Sequence, residues 1–339
     1  VASKSVRCRR VLDLALTTPG FAGVMGYSVR EAIWLVRNGV TDVLLGYPSA
    51  DRSAIAELGA DADLLDAITL MIDDAEQLAL IRTRTAAPIR VCLDVDASLR
   101  VGPAHLGVRR SPVRTPDEAA RLARTAAALD FDVVGVMFYE AQIAGLPDSS
   151  PAVRLVKSRS AAELAQRRGA VVEAVVGAVG PLRFVNSGGT GSLEISSADP
   201  CVTEVTAGSG LYAPRLFDHY RAFAADPALF FALPVVRRPA PGMVTLFGGG
   251  YIASGPAGDS RVPQPAQDGV KLIRTEGAGE VQTPVRGRAA DHLHPGDRVW
   301  FRHAKAGEML ERFDVVHLIE NGVLLDSVPS YRGEGKCFG

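Results

Sequence analysis

The residues with the clearest chemical use stand at the two ends of the first 230 positions. Lys4, in Val1-Ala2-Ser3-Lys4-Ser5, is followed closely by Arg7, Arg9 and Arg10. A lysine amine that is partly desolvated beside other cations loses its proton more readily, and the free amine condenses with a carbonyl to give a Schiff base. Far along the chain, Asn186-Ser187-Gly188-Gly189-Thr190-Gly191-Ser192 and Ala207-Gly208-Ser209-Gly210-Leu211-Tyr212 mix glycine with serine and threonine. Glycine lets backbone amides approach an anion closely, and the hydroxyls add donors. One such turn reads most simply as an ordinary strand-to-helix connection; two of them put a phosphate cradle on an equal footing with that reading. Neither is a Walker loop or a strict GxGxxG, so a nucleotide is the weaker ligand.

These groups meet only if the elements between them bring them together. Up to about residue 230, short apolar, β-branched runs alternate with longer amphipathic stretches, the pattern of a parallel sheet with crossover helices. The runs are 1–3, 23–26, 43–46, 69–72, 89–95, 133–138, 183–186 and 203–206. Ser28 with Glu31, and Thr115-Pro116-Asp117-Glu118, are helix-start signals of the capping-box type. Eight βα units predict an α/β (β/α)8 barrel of the TIM type, whose site lies at the C-terminal ends of the strands and whose phosphate loops follow strands seven and eight. An open doubly wound sheet is the alternative, since ring closure is not encoded in periodicity. After Pro234 the runs become Gly/Pro-punctuated and lose helical period, which predicts a smaller, mostly antiparallel β domain. The boundary is placed at residue 232, giving a barrel over 1–232 and a β domain over 233–339.

Bulk properties narrow the function. The chain has 339 residues, 47% hydrophobic and 22% charged, with a net charge of −1. That balance offers no electrostatic drive toward nucleic acid or an anionic membrane. Cys8, Cys92, Cys201 and Cys337 have no CxxC spacing, as expected of reduced thiols in a cytoplasmic protein. No apolar run approaches the roughly 18 residues of a membrane span. The chain opens on valine inside an apolar run, so an N-terminal portion is expected to be missing.

Taken together, these segments resemble the fold-type III pyridoxal phosphate enzymes of the alanine racemase/D-threonine aldolase superfamily, and most nearly their D-threonine aldolase/D-serine dehydratase (amino acid deaminase/aldolase) branch. Val1–Ser5 matches the position of the Schiff-base lysine. Gly26-Tyr27-Ser28-Val29-Arg30-Glu31-Ala32 and Val43-Leu44-Leu45-Gly46-Tyr47-Pro48 match the second and third βα units. The resemblance implies pyridoxal phosphate held by Lys4, with Asn186, Ser187, Gly188, Gly189, Thr190, Gly208, Ser209 and Tyr212 at or beside its phosphate. It also implies a homodimer, and a further strand and helix ahead of the lysine. Thr206 stands where racemases carry the arginine against the pyridine nitrogen, which weakens a racemase reading; an ordinary strand threonine is the equal alternative. After the fifth strand, the arginine that faces the cofactor's phenolic oxygen is matched by either Arg100 or His105, across an apparent insertion. Tyr139 and Gln142 fall on a Tyr-Glu-Gly-His segment, with glutamine unable to act as acid or base near neutral pH.

The β domain is expected to supply the substrate's other face. Relatives bind a divalent metal there through a histidine and a cysteine or aspartate two residues later. Here His303 is followed by Lys305, and Glu308 is the substitute ligand, so a metal is doubtful; without one, His303 or Lys305 would handle the substrate hydroxyl or carboxylate. Asp291-His292-Leu293-His294 reads as a polar turn. Tyr251 lies near the position of the racemases' second-face tyrosine base. The implied activity is a lyase acting on D-configured β-hydroxy amino acids, by retro-aldol cleavage or by dehydration and deamination. A racemase, or a cofactor-binding protein without turnover, is the alternative.

Overall fold

The computed structural model of the chain describes residues 1–305 and 307–338. Its strands, in chain order, are β1 (Val24–Gly26), β2 (Val43–Leu45), β3 (Ile68–Ile72), β4 (Arg90–Val95), β5 (Leu99–Val101), β6 (Ala104–Leu106), β7 (Asp132–Phe138), β8 (Phe184–Ser187) and β9 (Glu204–Val205). The second half adds β10 (Phe230–Ala240), β11 (Met243–Phe247), β12 (Gln264–Pro265), β13 (Lys271–Leu272), β14 (Gln282–Arg286), β15 (Arg298–Arg302), β16 (Val315–Glu320) and β17 (Val323–Pro329).

Seven of these form one parallel sheet in the order β1-β2-β3-β4-β7-β8-β9. Its inner strands are apolar on both faces: β2 and β3 are buried at every position, as expected where helices cover one side and a filled interior the other. The helices between them start as the caps dictate. Ser28 accepts a hydrogen bond from the Glu31 amide, and Thr115 forms a reciprocal box with Glu118 behind Pro116. These side chains satisfy amides that the first helical turn leaves without partners.

The first predicted strand, residues 1–3, is reduced to a single bridge. Ala2 pairs with Met25 in parallel fashion, Met25 N donates to Val1 O at 2.8 Å, and Ala2 N donates to Ala207 O at 2.9 Å. Two residues thus touch both edges of the seven-stranded sheet and curl it into a ring. The strand ends there because Ser3–Ser5 turn at once into a short 3-10 helix. Lys4 therefore sits on the turn leaving the strand, at its C-terminal end.

Beyond the barrel, six strands form an antiparallel sheet in the order β12-β15-β10-β11-β14-β13, and β16–β17 form a separate hairpin. The hairpin β5–β6 accounts for the insertion after the fifth predicted run. The second half of the chain is stapled to the first ten residues: Arg9 pairs with Glu334, Arg7 with Glu311, and Tyr331 N donates to Arg7 O at 2.9 Å. Among the described residues, no helix is long and apolar enough to cross a membrane.

Candidate active site

A cavity of about 270 Å³ opens at the C-terminal ends of the parallel strands, where the β domain faces them. From the barrel it is lined by Lys4, Tyr47, Arg110, Tyr139, Asn186, Gly188, Gly189, Thr190, Thr206, Gly208 and Ser209; from the β domain come Ser254, Lys305 and Glu308. The lysine and both glycine-rich turns, 180 or more positions apart in sequence, therefore share one space.

The turns are joined to each other. The hydroxyls of Thr190 and Ser209 lie 3.1 Å apart, and Gly210 N donates to Thr190 Oγ1 at 2.9 Å. Gly188 has φ +98°, the left-handed region that favours glycine. Gly208 is required by contact: a Cβ there would lie 2.3 Å from the carbonyl oxygen of Ala2. Beneath the turns, buried Glu140 accepts from Ser187 Oγ (3.0 Å), Gly188 N (3.2 Å), Ser192 Oγ (2.8 Å) and Ser196 Oγ. A single carboxylate thus fixes the shape of the first turn, leaving neutral hydroxyls and amides to face the cavity.

At the opposite wall, Lys4 Nζ hydrogen-bonds the Tyr47 hydroxyl. The Arg110 guanidinium lies 5.4 Å from the Tyr47 ring centre and 5.0 Å from that of Tyr139, within cation–π range. Behind it, burial pushes the Asp94 carboxyl up to about 7, reinforced by Asp73 and opposed by Arg110. Asn186 Nδ2 donates to Glu204 Oε1 (2.6 Å) and to Thr206 Oγ1 (2.7 Å). A threonine hydroxyl that accepts from Asn186 has its own proton left to donate into the cavity.

The β-domain segment reaches this space through one close contact. Gly307 packs on the backbone of Lys4 so tightly that a Cβ would fall 1.9 Å from the Lys4 carbonyl oxygen. Arg215 N and Leu216 N donate to the carbonyls of His303 and Ala304 at 3.1 and 3.0 Å, fixing the other end. Lys305 is half-buried, and desolvation lowers its pKa, with Arg261 and Lys4 acting in the same sense and Glu308 opposing. Glu308 accepts from Ser254 N at 3.0 Å.

Several residues singled out in the sequence stand outside the cavity wall. Arg100 and His105 face each other across the β5–β6 hairpin, where Arg100 pairs with Asp96 at 2.7 Å and His105 Nε2 contacts Val108 O at 3.1 Å. Arg110, past the hairpin, supplies the guanidinium at the cavity. Ser187 is buried in the Glu140 network, and Gln142 is buried with its amide donating to Ala97 O at 2.7 Å. The Tyr212 hydroxyl is buried and donates to Val6 O at 2.8 Å. Tyr251 packs against Phe231 and Phe313 with ring centres 5.1 and 5.5 Å away. His303 is 2% exposed, edge-on to Tyr212 at 6.4 Å, and burial holds its imidazole down at about 4, so it is neutral near pH 7. Arg110, Tyr47, Ser254 and Glu140 were not singled out for chemistry. Arg110 had a signal, an arginine soon after the fifth run, but the hairpin hides the register.

The donors present suit one of the two implied groups. Two joined turns of neutral donors, a lysine amine and a hydroxyl over one cavity match a phosphate-bearing aldehyde of pyridoxal phosphate size. A divalent ion does not fit: of the expected ligands only Glu308 borders the cavity, an ammonium stands beside it, and among the described residues no group of three His, Cys, Asp or Glu side chains is placed to hold a metal.

No protein-family model matches the chain, and no curated protein matches it in sequence. Solved structures do match in shape. D-threonine aldolase from Filomicrobium marinum superposes with a TM-score of 0.81 at 20% identity, covering 98% of this chain and 87% of that one. D-threo-3-hydroxyaspartate dehydratase from Delftia sp. HT23 gives 0.74 at 18% identity, covering 97% and 89%. An alanine racemase-like protein from Idiomarina loihiensis gives 0.71 at 14% identity, covering 97% and 88%. At these identities the likeness is one of architecture, and over nearly its whole length the chain has the fold-type III architecture of a curled parallel barrel joined to an antiparallel β domain.

Proposed function

We propose that the protein is a pyridoxal phosphate-dependent lyase acting on D-configured β-hydroxy amino acids, with Lys4 as the lysine that carries the cofactor. The observation that carries this reading is the placement of Lys4 in one cavity with the two joined glycine-rich turns. Bound there, pyridoxal phosphate supplies a conjugated ring that accepts the electrons of a bond broken at Cα.

The chain's own residues take the remaining tasks. The hydroxyls of Thr190 and Ser209 and the amides at 190, 208 and 209 are the donors offered to the phosphate, in the shape that Glu140 imposes on the first turn through Gly188 N and the Ser192 hydroxyl. Asn186 orients the Thr206 hydroxyl, which serves as a neutral partner for the ring nitrogen. Arg110 balances negative charge on the side of Tyr47 and Tyr139. As a free amine, Lys4 would hold and return the proton on one face of Cα, with the Tyr47 hydroxyl setting its direction. On the β-domain side Glu308 is the one carboxylate among the described cavity residues, and accepts the proton of the substrate's β-hydroxyl. In retro-aldol cleavage the Glu308 carboxylate would take the hydroxyl proton as Cα–Cβ breaks; in dehydration Lys4 would take the Cα proton, and the protonated Glu308 would deliver a proton to the departing hydroxyl so that it leaves as water.

A racemase needs a base on the second face, and Tyr251 stands in an aromatic cluster off the cavity wall. That favours the lyase. Assembly as a homodimer belongs to the same reading; the exposed apolar residues Ile319, Val323, Leu324 and Leu325 on the β16–β17 hairpin are consistent with it. The test is reconstitution with pyridoxal phosphate, followed by challenge with D-threonine and D-serine with and without divalent metal. The expected outcome is a visible absorption band that Lys4→Ala abolishes, together with aldehyde or keto acid release. A wild-type protein without a lysine-dependent band sinks the proposal.

A further inference from the structure

Four cationic side chains border the cavity: Lys4, Arg7, Arg110 and Lys305. Three are already engaged. Arg7 is ion-paired with Glu311 and donates to the Lys4 carbonyl at 3.1 Å. Lys4 holds the Tyr47 hydroxyl, and Arg110 spreads over the faces of Tyr47 and Tyr139. Lys305 alone makes no hydrogen bond, ion pair or ring contact with the described residues, although it is half-buried. Its nearest carboxylate neighbour in sequence, Glu308, is turned to the Ser254 amide and lies outside ion-pair distance.

A half-buried ammonium whose donors no described residue takes up is left to water or to an anion that enters the cavity. The flexible segment of side chain and compact charge suit an anionic oxygen approaching from within the cavity, and repel a second cation there. Gly307, seated on the Lys4 carbonyl, keeps this stretch of the β domain against the lysine that would carry the cofactor. An amino acid bound beside Lys4 would present its carboxylate within the same small volume.

We propose that Lys305 binds the α-carboxylate of the amino acid substrate from the β-domain side, in the place where a divalent ion would otherwise serve. The inference rests on the reading of Lys4 as the cofactor-bearing lysine. It makes Lys305 a binding residue that would orient the substrate about Cα, and it makes the site independent of metal.

Two measurements test it. In the first, the visible band of reconstituted protein is titrated with D-threonine and with its carboxamide, which lacks the carboxylate charge. Wild-type protein should bind the acid at least tenfold more tightly than the amide. Lys305→Met should keep the band and lose that preference, and Lys305→Arg should retain most of it. If Lys305→Met keeps the full preference while its band is intact, Lys305 is not the carboxylate partner and the inference fails alone. If wild-type protein has no lysine-dependent band, the cofactor reading fails and takes this inference with it. In the second, Mn²⁺ and Zn²⁺ are titrated calorimetrically into cofactor-free wild-type protein. The expected result is no binding at micromolar metal; micromolar binding that Glu308→Gln abolishes overturns the claim that Lys305 stands in for the ion.

Discussion

The two walls of the cavity are built on different principles. The barrel wall presents amides and hydroxyls whose positions follow from strand ends, from glycines that admit no side chain, and from the buried carboxylate of Glu140 beneath them. The β-domain wall presents Lys305 and Glu308 on a segment that touches the barrel through Gly307 and two backbone hydrogen bonds, with Ser254 beside them from the loop after β11. Backbone donors cannot be exchanged without remaking the fold, whereas side chains on a docked segment change one at a time.

The sharpest way to break the comparison is at the seam. Gly307→Val puts a side chain onto the Lys4 carbonyl and should lower stability by about 3 kcal/mol, read as a reduced urea midpoint together with loss of cofactor binding. An unchanged midpoint would mean that the two walls are not coupled through this contact. Next in size, Glu140→Gln leaves the donors of Ser187, Gly188, Ser192 and Ser196 short of an acceptor. It should weaken pyridoxal phosphate by about 2 kcal/mol, or some thirtyfold, in an equilibrium titration. The equivalent change on the other wall, Glu308→Gln, should leave cofactor affinity within about twofold and lower turnover.

A comparable effect is expected from pH. Burial raises Glu31, which Tyr27 N and the Tyr331 hydroxyl hydrogen-bond, to about 7 from 4.5. Because the folded state holds this proton more tightly than the unfolded state does, the stability it contributes is complete below about pH 4.5 and is lost as pH rises through about 7. Urea unfolding at pH 5 and pH 8 should differ by about 2 kcal/mol more in wild type than in Glu31→Gln; equal differences would rule this out. Smallest are the loop substitutions. Arg110→Ala should weaken the cofactor about tenfold, near 1.4 kcal/mol, while Arg100→Ala and His105→Ala should leave it unchanged.

Those three residues show where sequence reading stops. The runs at 89–95 and 133–138 are legible because strand period and burial are local properties, and β4 and β7 lie there. The span between them is not periodic. Arg100 and His105 look equivalent to Arg110 until Leu99–Leu106 pairs as a hairpin and carries the first two to its own surface. Tyr212 and His303 fail in another way: both positions are next to the site along the chain, yet each side chain turns into packing, Tyr212 to the Val6 carbonyl and His303 to the Tyr212 ring.

Sequence alone determined the alternation of strands and helices, the caps at Ser28 and Thr115, the change of texture after Pro234, and the presence of a lysine and two glycine-rich turns able to meet. All of these are written in spacing of a few residues, on the scale where propensity and hydrogen-bond geometry act. Tertiary structure decided that Ala2 links both sheet edges, that Arg110 rather than Arg100 or His105 reaches the cavity, that Tyr251 and His303 stay out of it, and that Lys305 stands there with no carboxylate partner among the described residues. Each depends on which groups pack together across long stretches of chain, and burial between distant segments has no period along the sequence from which to read it.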